Sequence, residues 1–233
     1  MGRHRETSRG LMGYISAEVA GDHVRVWERQ DGQRICRIFP APAEFYIPDP
    51  NGNYVSMFGD RLQKLQFNSI KKMRSVKRQL QDDGVKLFES DISPAIKVLS
   101  QHYFNVEGGK INTTFLDIEN DYDPAVGYAT MDNPYAPINA ISMYHQWLDK
   151  SIVLAVPPPG FDMSTIDPSL HELSEIKFFD TEAELLQEFL MQIEDSDALC
   201  GWNSRIFDFP YIAKRLERLF GAAEVNRLCF PDA

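Results

Sequence analysis

Thr113-Thr114-Phe115-Leu116-Asp117-Ile118-Glu119 is a β-patterned run that ends in two carboxylates. In a strand, residues two apart share a face, so Asp117 and Glu119 project together, with Phe115 in register with them toward the strand start. Paired carboxylates repel each other unless a cation compensates, and Mg²⁺ or Mn²⁺ takes oxygen ligands. Such a pair is the usual beginning of a two-metal phosphodiesterase site. Spacing alone does not single this pair out. With 34 acidic residues in 233, about five pairs at i, i+2 are expected from composition. Glu182/Glu184 and Asp195/Asp197 are such pairs and read as helix and loop surface. What separates Asp117/Glu119 is the apolar β run before them, where charge is unexpected without compensation.

Downstream lies a second informative stretch, Leu199-Cys-Gly-Trp-Asn-Ser-Arg-Ile-Phe-Asp-Phe-Pro-Tyr211. A short strand ends in Gly201, a loop follows, and Asp208 falls two residues before Pro210, which opens a helix. Asp208 reads either as a helix cap or as a carboxylate facing the strand-end pair across a second metal ion. Asn203 reads as a turn residue or a hydrogen-bond donor. Phe207 reads as a core aromatic or a stacking platform for a single-stranded DNA end.

Around these segments the pattern is βββαβα. Lys110–Glu119, Ile138–Tyr144, Ser151–Val156 and Ser174–Phe179 read as strands, Glu182–Glu194 as an amphipathic helix, Ala198–Trp202 as a short strand, and Pro210–Phe220 as a helix stopped by Gly221. Before them the chain reads as β. Gly13–Val19, His23–Arg29 and Arg34–Phe39 alternate, with an Asp31-Gly32 turn signal, and prolines through the forties leave Glu44–Ile47 as a short strand. From about 69 to 82, Ile70, Met73, Val76 and Leu80 recur at helical spacing. The opposite face carries Lys71, Lys72, Arg74, Lys77 and Arg78, either a solvated helix surface or a phosphate-contacting patch. Glu107-Gly-Gly-Lys110 marks the expected boundary, dividing a β-rich domain over 1–109 from an α/β domain over 110–233.

The bulk properties fit a soluble α/β (α+β) protein: 43% hydrophobic and 25% charged residues exclude disorder, collagen and coiled coil. No apolar run approaches the roughly 18 residues of a membrane span, and the polar, basic Met1–Arg9 lacks a signal-peptide core. Three scattered cysteines, Cys36, Cys200 and Cys229, argue against a disulfide framework or zinc knuckle and for a reducing cytoplasm. The net charge of −10 is unevenly spread. Residues 1–110 hold 17 basic and 13 acidic side chains and residues 111–233 hold 7 and 21, which suggests two units with different electrostatic roles.

Taken together, these segments resemble the N-terminal third of a family B DNA polymerase, most closely the replicative polymerases of T4-like phages. Phe115-Leu-Asp-Ile-Glu119 resembles the first exonuclease motif, and Gly201-Trp-Asn-Ser-Arg-Ile-Phe-Asp-Phe-Pro-Tyr211 the second. Pro137–Ile141 and Phe179–Leu186 match the family's intervening strand and helix in order, and Ala43–Ile47 and Ser90–Tyr103 its N-terminal domain. The resemblance implies an RNase H-like 3′–5′ proofreading exonuclease domain after a β-rich domain. It implies that Asp117 is shared by two metal ions, that Glu119 binds the catalytic one and that Asp208 binds the other. One ion would activate water while its partner stabilises the leaving 3′ oxygen.

The third exonuclease motif of the family, Tyr-x-x-x-Asp, is not found downstream of Asp208, and Tyr128 to Asp132 stands out of order. Polymerase motifs are also absent. The expectation is therefore an incomplete exonuclease domain, in an N-terminal portion or split subunit that is cytoplasmic, in the host cell's cytoplasm if phage-encoded. A C-terminal polymerase polypeptide would supply the third motif and cover exposed apolar surface. Alone, the chain should show little exonuclease and no polymerase activity. Alternatives are a stand-alone nuclease that completes its site with Asp121, Asp123 or His145, and a non-catalytic module that binds nucleic acid, RNA included, through the basic helix. Failing both activities, an assembly subunit remains.

Overall fold

The computed structural model describes residues 13–229, so Met1–Arg9 lies outside the described residues. The chain divides into two compact units, one ending at Lys110 and the other beginning at Ile111. Among the described residues no helix is long and apolar enough to cross a membrane.

Unit one begins with an antiparallel meander of β1 (Tyr14–Ala20), β2 (His23–Gln30) and β3 (Gln33–Pro40). The β2–β3 hairpin turns through Asp31 and Gly32 with φ of 51° and 81°, the pair of positive angles that a type I′ turn requires. A second sheet orders β4 (Glu44–Pro48), β6 (Arg61–Gln66) and β5 (Tyr54–Val55). Sequence periodicity missed the last two. Leu62 and Leu65 are three apart, so β6 does not alternate, and it is a strand because it pairs with β4 along its length.

Helix α1 (Ile70–Asp82) starts at Ser69, whose hydroxyl accepts the Lys72 N–H, as an N-cap should. Ile70 is buried and Met73, Val76 and Leu80 are half-buried, while Lys71, Lys72, Arg74 and Arg78 are exposed. Lys77 turns back instead, and its Nζ donates to the Ser90 carbonyl at 2.6 Å. Helix α2 (Pro94–His102) is capped by Ser93 with proline in its first turn, the position where proline's missing N–H is harmless. Its Ala95 and Val98, with Tyr103 beyond its end, pack on Val24 and Val26 of β2.

Unit two is a five-stranded mixed sheet in the order β10-β9-β8-β7-β11. Strands β7 (Thr113–Asn120), β8 (Ile138–His145) and β9 (Lys150–Ala155) form an antiparallel meander. Strands β10 (Glu175–Phe178) and β11 (Ala198–Cys200) run parallel to β9 and β7. The short helix α3 (Leu170–Leu173) precedes β10, and α4 (Glu182–Ile193) and α5 (Asp208–Phe220) carry the core. A short α6 (Ala222–Val225) follows Gly221, which ends α5 with φ of 90°. This is the mixed α/β architecture expected of an RNase H-like exonuclease domain.

Helix α4 opens with a full capping box between Thr181 and Glu184, which satisfies two otherwise orphaned N–H groups. It buries Leu185, Leu186, Phe189, Leu190 and Ile193. Each such side chain contributes roughly 1.5–3 kcal/mol by leaving water. They meet Leu116, Ile118, Ile141, Met143, Ile152 and Leu154 of the sheet, and Tyr211, Ile212 and Leu216 of α5.

Candidate active site

One face of the sheet is thus filled by helices, and alternation sends the intervening residues the other way. On β7, Thr114, Leu116 and Ile118 are buried while Phe115, Asp117 and Glu119 are exposed. Across the ladder, Ser142 stands opposite Asp117 and Tyr144 opposite Phe115, both of them also exposed. This second face forms an open groove of about 640 Å³, lined by residues that include Phe115, Asp117, Tyr144, Val153, Cys200 and Trp202.

Strand β11 pairs only with Thr113 to Phe115, so the edge of β7 beyond it lacks a neighbouring strand. Gly201 covers the first step. A Cβ there would lie 2.4 Å from the Leu116 carbonyl oxygen and 3.0 Å from the Ser204 Cβ. The chain then turns sharply. Asn203 adopts φ of 55°, and its carbonyl accepts the N–H groups of Ile206 and Phe207. Trp202 is left 92% exposed. The turn delivers Asp208 to the next open position on β7, where its Oδ1 accepts the Ile118 N–H at 3.3 Å.

Asp208 therefore does not cap α5. Phe207 holds the N-cap position without a side-chain bond, and Asp208 is the first helical residue, buried to 4% exposure. Burial raises its carboxyl pKa above the ordinary aspartate range, its own backbone N–H and that of Ile118 oppose the rise, and the charge of Asp117 adds a smaller push upward. Among the described residues, no Lys or Arg pairs with Asp117, Glu119 or Asp208.

The sequence-derived residues are only partly brought together. The charge of Asp117 acts on the Asp208 carboxyl, and Glu119 shares the exposed face of Asp117. Among the described residues, however, no three His, Cys, Asp or Glu side chains are grouped to hold a metal ion. The donor chemistry of the Asp117/Asp208 pair suits a hard divalent cation, since two carboxylates near each other lack a countercharge. Asn203 is exposed and serves the turn, while Phe207 is half-buried and stacks on Tyr211 with ring centroids 5.3 Å apart.

His145 lies on the helix-covered face, away from Asp117. It is buried, and its Nδ1 is 3.0 Å from the Thr114 hydroxyl, which is 2.7 Å from that of Ser196. Asp121 accepts from the Asn139 amide and Asp123 from the Ala125 N–H.

Glu182 corrects the reading of its pair as helix surface. Its side chain is 9% exposed and forms a two-pronged ion pair with Arg215, itself 6% exposed. Arg215 Nε donates to Glu182 Oε1 at 2.7 Å and Nη2 to Oε2. The available signal was positional: Asp208, Tyr211, Ile212, Arg215 and Leu216 share one helical stripe, so a cation inside it demands a partner.

With this geometry, comparison with known proteins becomes specific. Residues 62–229 match the family described as DNA polymerase family B, exonuclease domain. The chain belongs to this family. The matched region covers all of unit two through Cys229 and reaches back into unit one as far as β6. Two similar relatives come from phages. The DNA-directed DNA polymerase of Escherichia phage RB69 is 23% identical over 240 residues, and that of Enterobacteria phage T4 is 22% identical over 237. Each alignment takes in 92% of this chain and 26% of the relative. DNA polymerase II of Escherichia coli (strain K12) is 22% identical over 161 residues, 64% of this chain and 20% of that protein. The chain thus spans about a quarter of the length of the phage relatives it matches.

Proposed function

We propose that unit two contributes Asp117, Glu119 and Asp208 to a divalent-metal 3′–5′ exonuclease site that trims a single-stranded DNA end during replication. The observation that carries this reading is the buried Asp208 carboxyl on the Ile118 N–H beside Asp117, two carboxylates with no basic partner among the described residues. A divalent ion bound there supplies an activated water and stabilisation of the leaving 3′ oxygen. The chain's own part is to hold the carboxyls. Strand β7 presents Asp117 and Glu119 on one face, and the Ile118 N–H orients Asp208. In the groove, Phe115 and Trp202 offer aromatic surface on which unpaired bases can stack, and Asn203 and Phe207 flank the approach to Asp208.

A further carboxylate, on a C-terminal polymerase polypeptide seated over the open sheet face, completes the site in this reading. Supporting it is the exposure of Phe115 and Tyr144 on that face. Titrating Mn²⁺ into the ¹⁵N-labelled chain should broaden the Ile118 and Gly201 amide resonances, and Asp117→Asn should abolish the effect. An unbroadened wild-type spectrum overturns the metal reading. With labelled single-stranded DNA and Mg²⁺, the chain alone should trim little. Robust trimming abolished by Asp117→Ala overturns the need for a partner.

A second reading concerns unit one. Between Arg61 and Gln81 there is no acidic residue, and Lys71, Lys72, Arg74 and Arg78 lie exposed on α1. Such a face suits sequence-independent contact with RNA or DNA phosphates, Lys77 being held by Ser90. Binding should weaken steeply with salt, survive Asp117→Ala, and fail on replacement of Lys71, Lys72 and Arg74.

A further inference from the structure

We propose that Arg215, locked by Glu182, is a positioning residue that sets the axial register of α5 and so seats the Asp208 carboxyl on β7. The proposal rests on the reading of Asp208 as a ligand and concerns how its place is fixed.

Asp208, Tyr211 and Arg215 are three and four residues apart, a single face of α5. Each makes a polar contact with a different backbone group, on β7 or on the segment that enters β8. Asp208 accepts from Ile118 N–H at 3.3 Å, the Tyr211 hydroxyl donates to the Ala136 carbonyl at 2.7 Å, and Arg215 Nη1 donates to the Pro134 carbonyl at 3.0 Å. Beside them on the helix lie Ile212 and Leu216, fully buried. Apolar burial is non-directional, so those two residues hold the helix to the sheet without fixing how far it slides or turns. Directional bonds spread over two turns fix both.

Of the three contacts, the one at Asp208 is the longest, beyond the usual range for N–H···O bonds. The one at Arg215 is the most constrained. Besides the two hydrogen bonds from Arg215 to Glu182, the pair reaches a third element, because Glu182 Oε1 accepts the Ile138 N–H at 2.8 Å. Helix α4, helix α5 and the segment entering β8 are thereby tied at one point, two turns from Asp208. Apolar residues of similar volume often stabilise a fold as well as a buried ion pair does. What they do not supply is this fixed geometry.

The test uses the full 233-residue chain, ¹⁵N-labelled and metal-free, and reads two quantities: the thermal midpoint and the Ile118 amide resonance. The variants are the double replacement Glu182→Leu/Arg215→Met, the single Arg215→Lys, and Ile152→Val as a control that lowers stability away from α5. The double variant is expected to melt near the wild type while its Ile118 amide shifts and exchanges about tenfold faster. Arg215→Lys should move the same resonance by more than Ile152→Val does at equal loss of midpoint. If the double variant does not fold, this second comparison decides. An Ile118 amide that stays in place, or moves no more than in the control, overturns the proposal. The ligand reading fails separately, by the absence of Mn²⁺ broadening in the wild type, and that outcome leaves the Ile118 comparison intact.

Discussion

Gly201 lies so close to Leu116 that a Cβ on the glycine would stand 2.4 Å from the leucine's carbonyl oxygen. Neither partner can easily yield, since the oxygen belongs to β7, which is paired to β8 along its length, and Gly201 directly follows β11. Gly201→Ala is therefore expected to destabilise unit two by about 1–3 kcal/mol through overpacking. Denaturant unfolding measures the loss, and a shifted Ile118 amide would show the displacement reaching Asp208.

Asp208→Asn separates stability from metal binding. The wild-type carboxyl is held above the ordinary aspartate value by burial and by Asp117, so its ionised form penalises the folded state at neutral pH. A carboxamide oxygen still accepts the Ile118 N–H and carries no charge. The variant is expected to melt higher than the wild type at pH 7 while losing Mn²⁺ broadening. A lower midpoint would show that the Asp208 charge supports the fold.

His145 gives unit two a pH dependence of known sign. Burial, with a smaller push from Lys150, lowers its pKa below the ordinary histidine value of 6.5. The unfolded chain therefore takes up a proton near pH 6.5 that the folded chain refuses. Stability from this group is complete above that value and declines as pH falls through the window down to the folded pKa. Thermal midpoints measured from pH 7.5 to 5 should fall more steeply in the wild type than in His145→Gln.

In unit one, Tyr103 donates to Oε1 of the fully buried Glu28 at 2.5 Å, and Arg37 donates to Oε2 at 2.8 Å. Burial and Glu28 raise the Tyr103 pKa far above that of a free phenol, so the hydroxyl remains a donor throughout the working range. Tyr103→Phe removes a donor to a buried charge and should cost about 1–3 kcal/mol, read as a lower urea midpoint.

Much of this architecture is legible in the sequence because it follows from periodicity. Alternation marks β1 to β3 and β7 to β9, and helical spacing marks α1, α4 and α5 to within a few residues at each end. The carboxylates on β7 stand out because they interrupt an apolar run. Pairing is harder to read. Strands β5 and β6 carry little pattern of their own and exist through β4. The Glu182–Arg215 pair joins residues 33 positions apart, and nothing local at Glu182 distinguishes it from its exposed neighbour Glu184. The seat of Asp208 was equally hidden, because helix capping and contact with a distant strand call for the same residue type.

The alternation of β7 also bears on how the chain reaches its native state. Slipping β7 by one residue against β8 would turn Asp117 and Glu119 into the layer now held by Leu116 and Ile118. Burying carboxylates without partners carries a large penalty, so the misaligned pairing is strongly disfavoured while the sheet assembles. The ladder skips Asn139 between its Ala140 and Ile138 pairings, an irregularity beside Glu119 that pins the same alignment from the far end. The acidic pair thus guards against misfolding in every newly made molecule, whatever later binds to it, and replacing it with apolar residues would raise the risk of aggregation during synthesis.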